Sequence, residues 1–204
     1  MGMRNNEHHP LLTKAMMWLG TVWMVFTLYM VLTTAAFDVA HLFIPALRHG
    51  VLYALAITTG LLVYGYCNYR NPHVEHITIE LDKPVKGGGV RMVMASDIHL
   101  GYGTDRADLE RYVALINEQK PDVVVIVGDL IDNSITPVVG ENMGEVLDGI
   151  EAPDGVYVVP GNHEYISGID ACETFIRGTQ MTLLRDSVVV LDSGIQLIGR
   201  DDRS

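Results

Sequence analysis

Apolar positions along this chain change their period twice, and each change predicts a different kind of structure. Ala15 to Phe37 is a run of 23 residues without a charge, and Gly50 to Cys67 adds 18 more. Both runs are apolar all round, with no polar stripe of the kind that marks an amphipathic core helix. About 20 apolar residues span a bilayer core as a helix. The pattern therefore predicts two membrane helices, over about 15–37 and 47–67, the second drawn back through Leu47. The first run exceeds the apolar region of about 7–15 residues expected of a signal peptide. Tyr64, Tyr66 and Tyr69 suit an interfacial aromatic belt.

After Asn71-Pro72 the period falls to two. Val74 to Leu81 alternates and predicts a strand. Past Lys86-Gly87-Gly88-Gly89, a flexible turn, Val90 to Ala95 predicts a buried strand. Leu109, Tyr112, Val113 and Ile116 mark one face of a helix over Asp105 to Gln119, with Thr104 or Asp105 as cap and Pro121 as stop. Asp122 to Val127 is a β-branched run, as in a strand covered on both faces of a parallel sheet. Val139, Met143, Val146, Leu147 and Ile150 form a second helical stripe. Val156 to Val159 is the next strand. Ile169, Cys172 and Ile176 mark a third helix with Ser167 as cap, and Ser187 to Leu191 and Ile195 to Ile198 are strands around Asp192-Ser193-Gly194. The order β-α-β-α-β-α-β predicts an α/β domain with a mainly parallel sheet. Right-handed crossovers bring its strand ends to one edge.

Charge divides in the same place. Residues 1–70 carry a net +2, from Arg4, Lys14, Arg48 and Arg70 against Glu7 and Asp38, while the remainder carries −13. An acidic domain repels phosphate backbones, so no nucleic-acid binding patch is expected. Arg4 and Lys14 before the first span, and Arg70, Lys83, Lys86 and Arg91 after the second, put both ends in the cytoplasm by the positive-inside rule. The spans lack the buried ionisable residues that mark ion paths, so they read as an anchor. Cys67 and Cys172 imply no disulfide framework.

The chemistry concentrates at strand exits. Asp97-Ile98-His99, Gly128-Asp129 and Gly161-Asn162-His163-Glu164 follow three successive apolar runs, with Asp97, Asp129 and Asn162 spaced by 32 and 33 residues. Ligands of open α/β sheets bind at the carboxyl ends of strands. Carboxylate, amide and imidazole groups gathered there suit one or two divalent metals. Asp97 and His99 alternate along an extended segment and so share a side. Gly128 allows close approach at Asp129, whose two oxygens can bridge two cations, and Pro160-Gly161 shapes a tight turn that presents Asn162 and His163. Asp201 and Asp202 could approach the edge of such a site, though solvation is the default for a tail.

In this order the three runs resemble the first three motifs of the calcineurin-like metallophosphoesterases. Two spans ahead of Met94-Ala95-Ser96-Asp97-Ile98-His99 are similar to membrane-anchored bacterial members. The resemblance covers about residues 74–204. It implies transmembrane helices followed by an αββα sandwich of two sheets flanked by helices. It further implies two divalent metal ions (Mn, Fe, Zn or similar): Asp97 and His99 on the first, Asp129 bridging, Asn162 on the second. His163 would contact the phosphate and assist the leaving group, while activated water attacks phosphorus in line. The family carries further histidines beyond the Asn-His motif, whereas none of the eight here follows His163. The expected organisation is a membrane anchor at 1–70 and an incomplete, truncated metallophosphoesterase domain at 71–204. The expected setting is the cell membrane, multi-pass, with the domain cytoplasmic. The expected substrate is a phosphomonoester or phosphodiester, and tethering favours a lipid phosphate or a lipid-linked nucleotide. The alternative is a catalytically incomplete membrane protein acting as a binding or interaction module.

Overall fold

The computed structural model describes residues 10–202. Arg4, part of the orientation argument, lies outside them. Leu11–Glu75 forms one compact unit, and the chain from His76 onward forms another.

The first unit is a helical hairpin. Helix α1 (Pro10–His41) and helix α2 (Gly50–Tyr69) are both long and apolar enough to cross a membrane. Between them a short 3-10 helix spans Pro45–Leu47. Leu47 therefore does not extend the second helix: Pro45 sets the 3-10 turn and α2 restarts at Gly50. Gly50, Ala54 and Thr58 recur every four residues and let α2 approach α1 closely. A Cβ at Gly50 would sit 3.0 Å from Phe37 Cβ, and the Thr58 and Thr33 hydroxyls lie 3.2 Å apart. Gly60 and Gly65, by contrast, have open space around them.

The second unit is layered. Strands β1 (Met92–Ala95), β2 (Val123–Val127), β3 (Val156–Val159) and β4 (Thr182–Leu183) form a parallel sheet in that order. One face packs on helices α3 (Arg106–Glu118), α5 (Met143–Leu147) and α7 (Ile169–Arg177). Val124, Ile126, Val156 and Val158 meet Leu109, Val113, Met143, Leu147, Cys172 and Ile176 there. Each such buried aliphatic contributes about 1.5–3 kcal/mol. On the other face, Val123, Val125, Tyr157 and Val159 pack with Val189, Leu191 and Leu197 of an antiparallel pair, β5 (Ser187–Val190) and β6 (Gln196–Gly199), and its turn. Two sheets with helices on one side are thus in place. The second sheet covers the first only in part, since Met94 and Val127 stay exposed near the strand exits.

Helix α3 begins where the sequence puts it: Asp105 caps it by accepting from the Asp108 N–H at 3.1 Å. The second stripe is not one helix. It breaks into α4 (Thr136–Gly140) and α5, because Asn142 takes a left-handed φ of 51°. The third helix starts from Gly168 (φ 107°), not Ser167. Ser167 instead ends α6 (Asn162–Ser167), a helix that the pattern of apolar positions does not predict. Residues 74–81 form no strand. Ile77 and Ile79 are both 77% exposed, and an alternating segment becomes a strand only beside a partner, which it lacks among the described residues.

Candidate metal centre

Parallel register aligns Ala95 with Ile126 and Val127 with Val159, so the first three strands end side by side. Pairing continues past the strands. The Asp97 N–H donates to Gly128 O (3.3 Å), His99 N–H to Asp129 O (2.9 Å) and Leu100 N–H to Leu130 O (2.8 Å). The β1 and β2 exits therefore run on together as two coupled loops.

Within them Asp97, His99 and Asp129 hold φ of 55°, 50° and 53°. Non-glycine residues seldom adopt this left-handed region, and its cost is tolerated mainly where surrounding structure enforces it. The outcome corrects the extended geometry expected for Asp97-x-His99. The two side chains do converge, with His99 Nε2 3.9 Å from Asp97 Oδ1, but through successive left-handed turns.

Asp129 Oδ2 lies 4.0 Å from the same Nε2, while Asp129 Oδ1 accepts the His163 main-chain N–H at 3.0 Å. His163 meets His99 edge to face, ring centroids 4.4 Å apart. Ligand atoms of His99, Asp129 and His163 all lie within 4.8 Å of one another. Bonds of about 2.1 Å to one ion place its ligands roughly 3–4 Å apart. Three half-buried side chains, with Asp97 at the rim, offer the chemistry of a divalent-cation site at a spacing slightly wider than a bound ion would draw them to. Asn162 opens α6 one residue before His163. The structure thus gathers Asp97, His99, Asp129 and His163, and places Asn162 at the adjoining helix start.

Two residues given no role by the sequence stand behind these. Asp132 Oδ1 lies 3.0 Å from His163 Nδ1 and 3.5 Å from His99 Nδ1. The distances suit hydrogen bonds but the directions do not, and both Nδ1 atoms are buried without a completed bond. Asp132 follows Asp129 by three residues in one loop, the only hint the sequence offers. Glu164, buried to 1% exposure, accepts from the N–H groups of Gly161, Asp129 and Ile131. Glu at the third helical position after a glycine was its visible signal.

Asp201 is not a solvated tail group. Its carboxylate takes the Tyr165 hydroxyl and Arg185 Nε, each at 2.6 Å. The Tyr165 hydrogen bond, then the Arg185 guanidinium, hold its carboxyl below the usual range. Cys172 is buried beside the Ser167 hydroxyl, and burial pushes its thiol up, as in an inert structural cysteine.

Imidazoles and carboxylates gathered at the carboxyl ends of adjacent parallel strands, in a two-sheet domain, form a group that could hold a divalent cation. Residues 90–192 match the sequence model of the calcineurin-like phosphoesterases, and the chain belongs to that family. It is 42% identical over 114 residues to a transmembrane protein with metallophosphoesterase domain of Danio rerio, covering 55% of this chain and 26% of that protein. An uncharacterized metallophosphoesterase of Aquifex aeolicus is 31% identical over 129 residues, 63% of this chain and 49% of its own length. One of Bacillus subtilis is 36% identical over 120 residues, 57% of this chain and 42% of its own. The chain thus spans between about a quarter and a half of these relatives.

Proposed function

We propose that the protein is a membrane-anchored, metal-dependent phosphoester hydrolase. Support comes chiefly from one observation: His99, Asp129 and His163 bring ligand atoms within 4.8 Å of each other at the exits of adjacent parallel strands. Two divalent ions, when bound there, would supply Lewis-acid polarisation of the phosphoryl oxygens and a water acidified for attack. Asp97 and His99 would hold the first, Asp129 would serve both, and Asn162 would offer its amide oxygen to the second. His163 contacts the phosphate and places a proton on the leaving oxygen. Asp132 orients both rings from their Nδ1 side. Helices α1 and α2 are the anchor within residues 1–70, and residues 71–204 carry the domain on the cytoplasmic side. Tethering favours a lipid-linked phosphoester, and the relative named a transmembrane protein accords with it.

The test is hydrolysis of bis-p-nitrophenyl phosphate and p-nitrophenyl phosphate by the full-length protein in nanodiscs, stripped of metal and reloaded with Mn²⁺. Turnover that appears with Mn²⁺ and vanishes with chelator is expected. No turnover by folded, loaded protein on either ester overturns the proposal. Asp132→Ala removes the shared acceptor. A loss of turnover of about 10–100-fold is expected, the usual cost of losing a partner that orients a ligand. Unchanged turnover would detach Asp132 from the site.

A further inference from the structure

Glu164 stands out among the described residues as a fully buried carboxylate, 1% exposed. Burying such a group is unfavourable unless hydrogen bonds replace its water. Its partners are three main-chain amides: Gly161 N–H at 2.7 Å and Asp129 N–H at 3.1 Å to Oε2, and Ile131 N–H at 2.8 Å to Oε1. The Gly161 bond alone would make an ordinary helix cap. The other two come from the loop after β2, more than 30 residues away, and they flank the left-handed turn at Asp129.

The same helix start also holds the Asp129 side chain, through the His163 N–H on Oδ1 (3.0 Å). Asp129 is thus fixed at its amide by Glu164 and at its carboxylate by the residue before Glu164. Its free oxygen then faces His99. We propose that Glu164 is a positioning residue of the metal centre. Its carboxylate locks the Asp129 turn onto the start of α6, so that Asp129 faces the ion position with the His163 ring set beside it. This rests on reading the cluster as a metal centre.

Gln cannot substitute. Whichever way its amide turns, the NH₂ group opposes at least one main-chain N–H, and the β2 loop loses a tie to α6. Asp keeps the charge but is one methylene too short to reach both loops fully. The experiment measures Mn²⁺ affinity by electron paramagnetic resonance for wild type, Glu164→Gln and Glu164→Asp in the full-length protein. Circular dichroism of the metal-free forms is recorded at the same temperature. A loss of affinity of about 10–100-fold is expected in Glu164→Gln, with the fold retained and Glu164→Asp between the two. Equal affinity in all three overturns the proposal. So does unfolding of Glu164→Gln alongside full affinity in Glu164→Asp, which would make the residue merely structural. A wild type that binds no Mn²⁺ instead overturns the metal-centre reading beneath it.

Discussion

Gly161→Ala is expected to disable the site while leaving most of the fold in place. A Cβ at Gly161 would lie 2.6 Å from the Asp129 main-chain N, and closer still to Asp129 Oδ1. Neither neighbour can yield. The nitrogen belongs to a turn already held at φ 53°, and Oδ1 is the acceptor of the His163 N–H. On the other side, Gly128 (φ 79°) approaches within 3.2 Å of Gly161 Cα when given a Cβ of its own, so the two glycines let the β2 and β3 exits pass almost in contact. The methyl group must push the loops apart, and overpacking of this kind costs about 1–3 kcal/mol. The larger effect is on geometry, because displacement of a reacting group by about 1 Å can cost on the order of 100-fold in rate. Turnover of the full-length protein should fall at least that far, with a melting curve still cooperative. Gly140→Ala is the control. It has open space around it and should change stability by under about 1 kcal/mol and turnover not at all. Wild-type activity in Gly161→Ala would mean the two loops are not packed as described.

Strands β1, β2, β3, β5 and β6, the parallel sheet and the rim where the three motifs meet were legible because they depend on local pattern, whereas the two-residue β4 (Thr182–Leu183) carries no such pattern. Runs such as Val123–Val127 are apolar on both faces only because helices cover one side and β5–β6 part of the other. What escaped depends on distant partners. Asp97, His99 and Asp129 carry no glycine-like signal for left-handed backbone, and pairing of the β1 and β2 exit loops enforces it. Asp132 and Glu164 look like ordinary loop and cap residues until the fold sets them against His163 and the Asp129 amide. The opposite error arose at residues 74–81, whose alternation is strand-like but which find no neighbour among the described residues. A helical stripe read as continuous from Val139 to Ile150 hid the break at Asn142, since Asn needs no glycine to turn left-handed.

Asp129→Asn is expected to separate the ligand role of this residue from its structural one. The side chain is 14% exposed and has two distinct tasks. Oδ1 accepts the His163 N–H, and Oδ2 looks toward His99 Nε2. An asparagine of the same size must keep its oxygen at the Oδ1 position, because an NH₂ there would oppose the main-chain N–H and leave a buried donor unpaired at about 1–3 kcal/mol. Its NH₂ therefore lands where Oδ2 was. Two donor hydrogens now face the ion position, and the one well-shielded negative charge among the three clustered side chains is gone. Loss of a residue that merely orients a ligand weakens metal binding about 10–100-fold, so loss of a direct anionic ligand should exceed about 100-fold. Metal retained after desalting, measured by inductively coupled plasma mass spectrometry, should drop, and turnover should fall to background. The melting temperature without metal should stay close to wild type because the His163 bond survives. Asp129→Ala removes that bond as well and should lose stability in addition. Wild-type metal stoichiometry in Asp129→Asn would take Asp129 out of the centre, and with it the idea that the β2 exit supplies the bridging group.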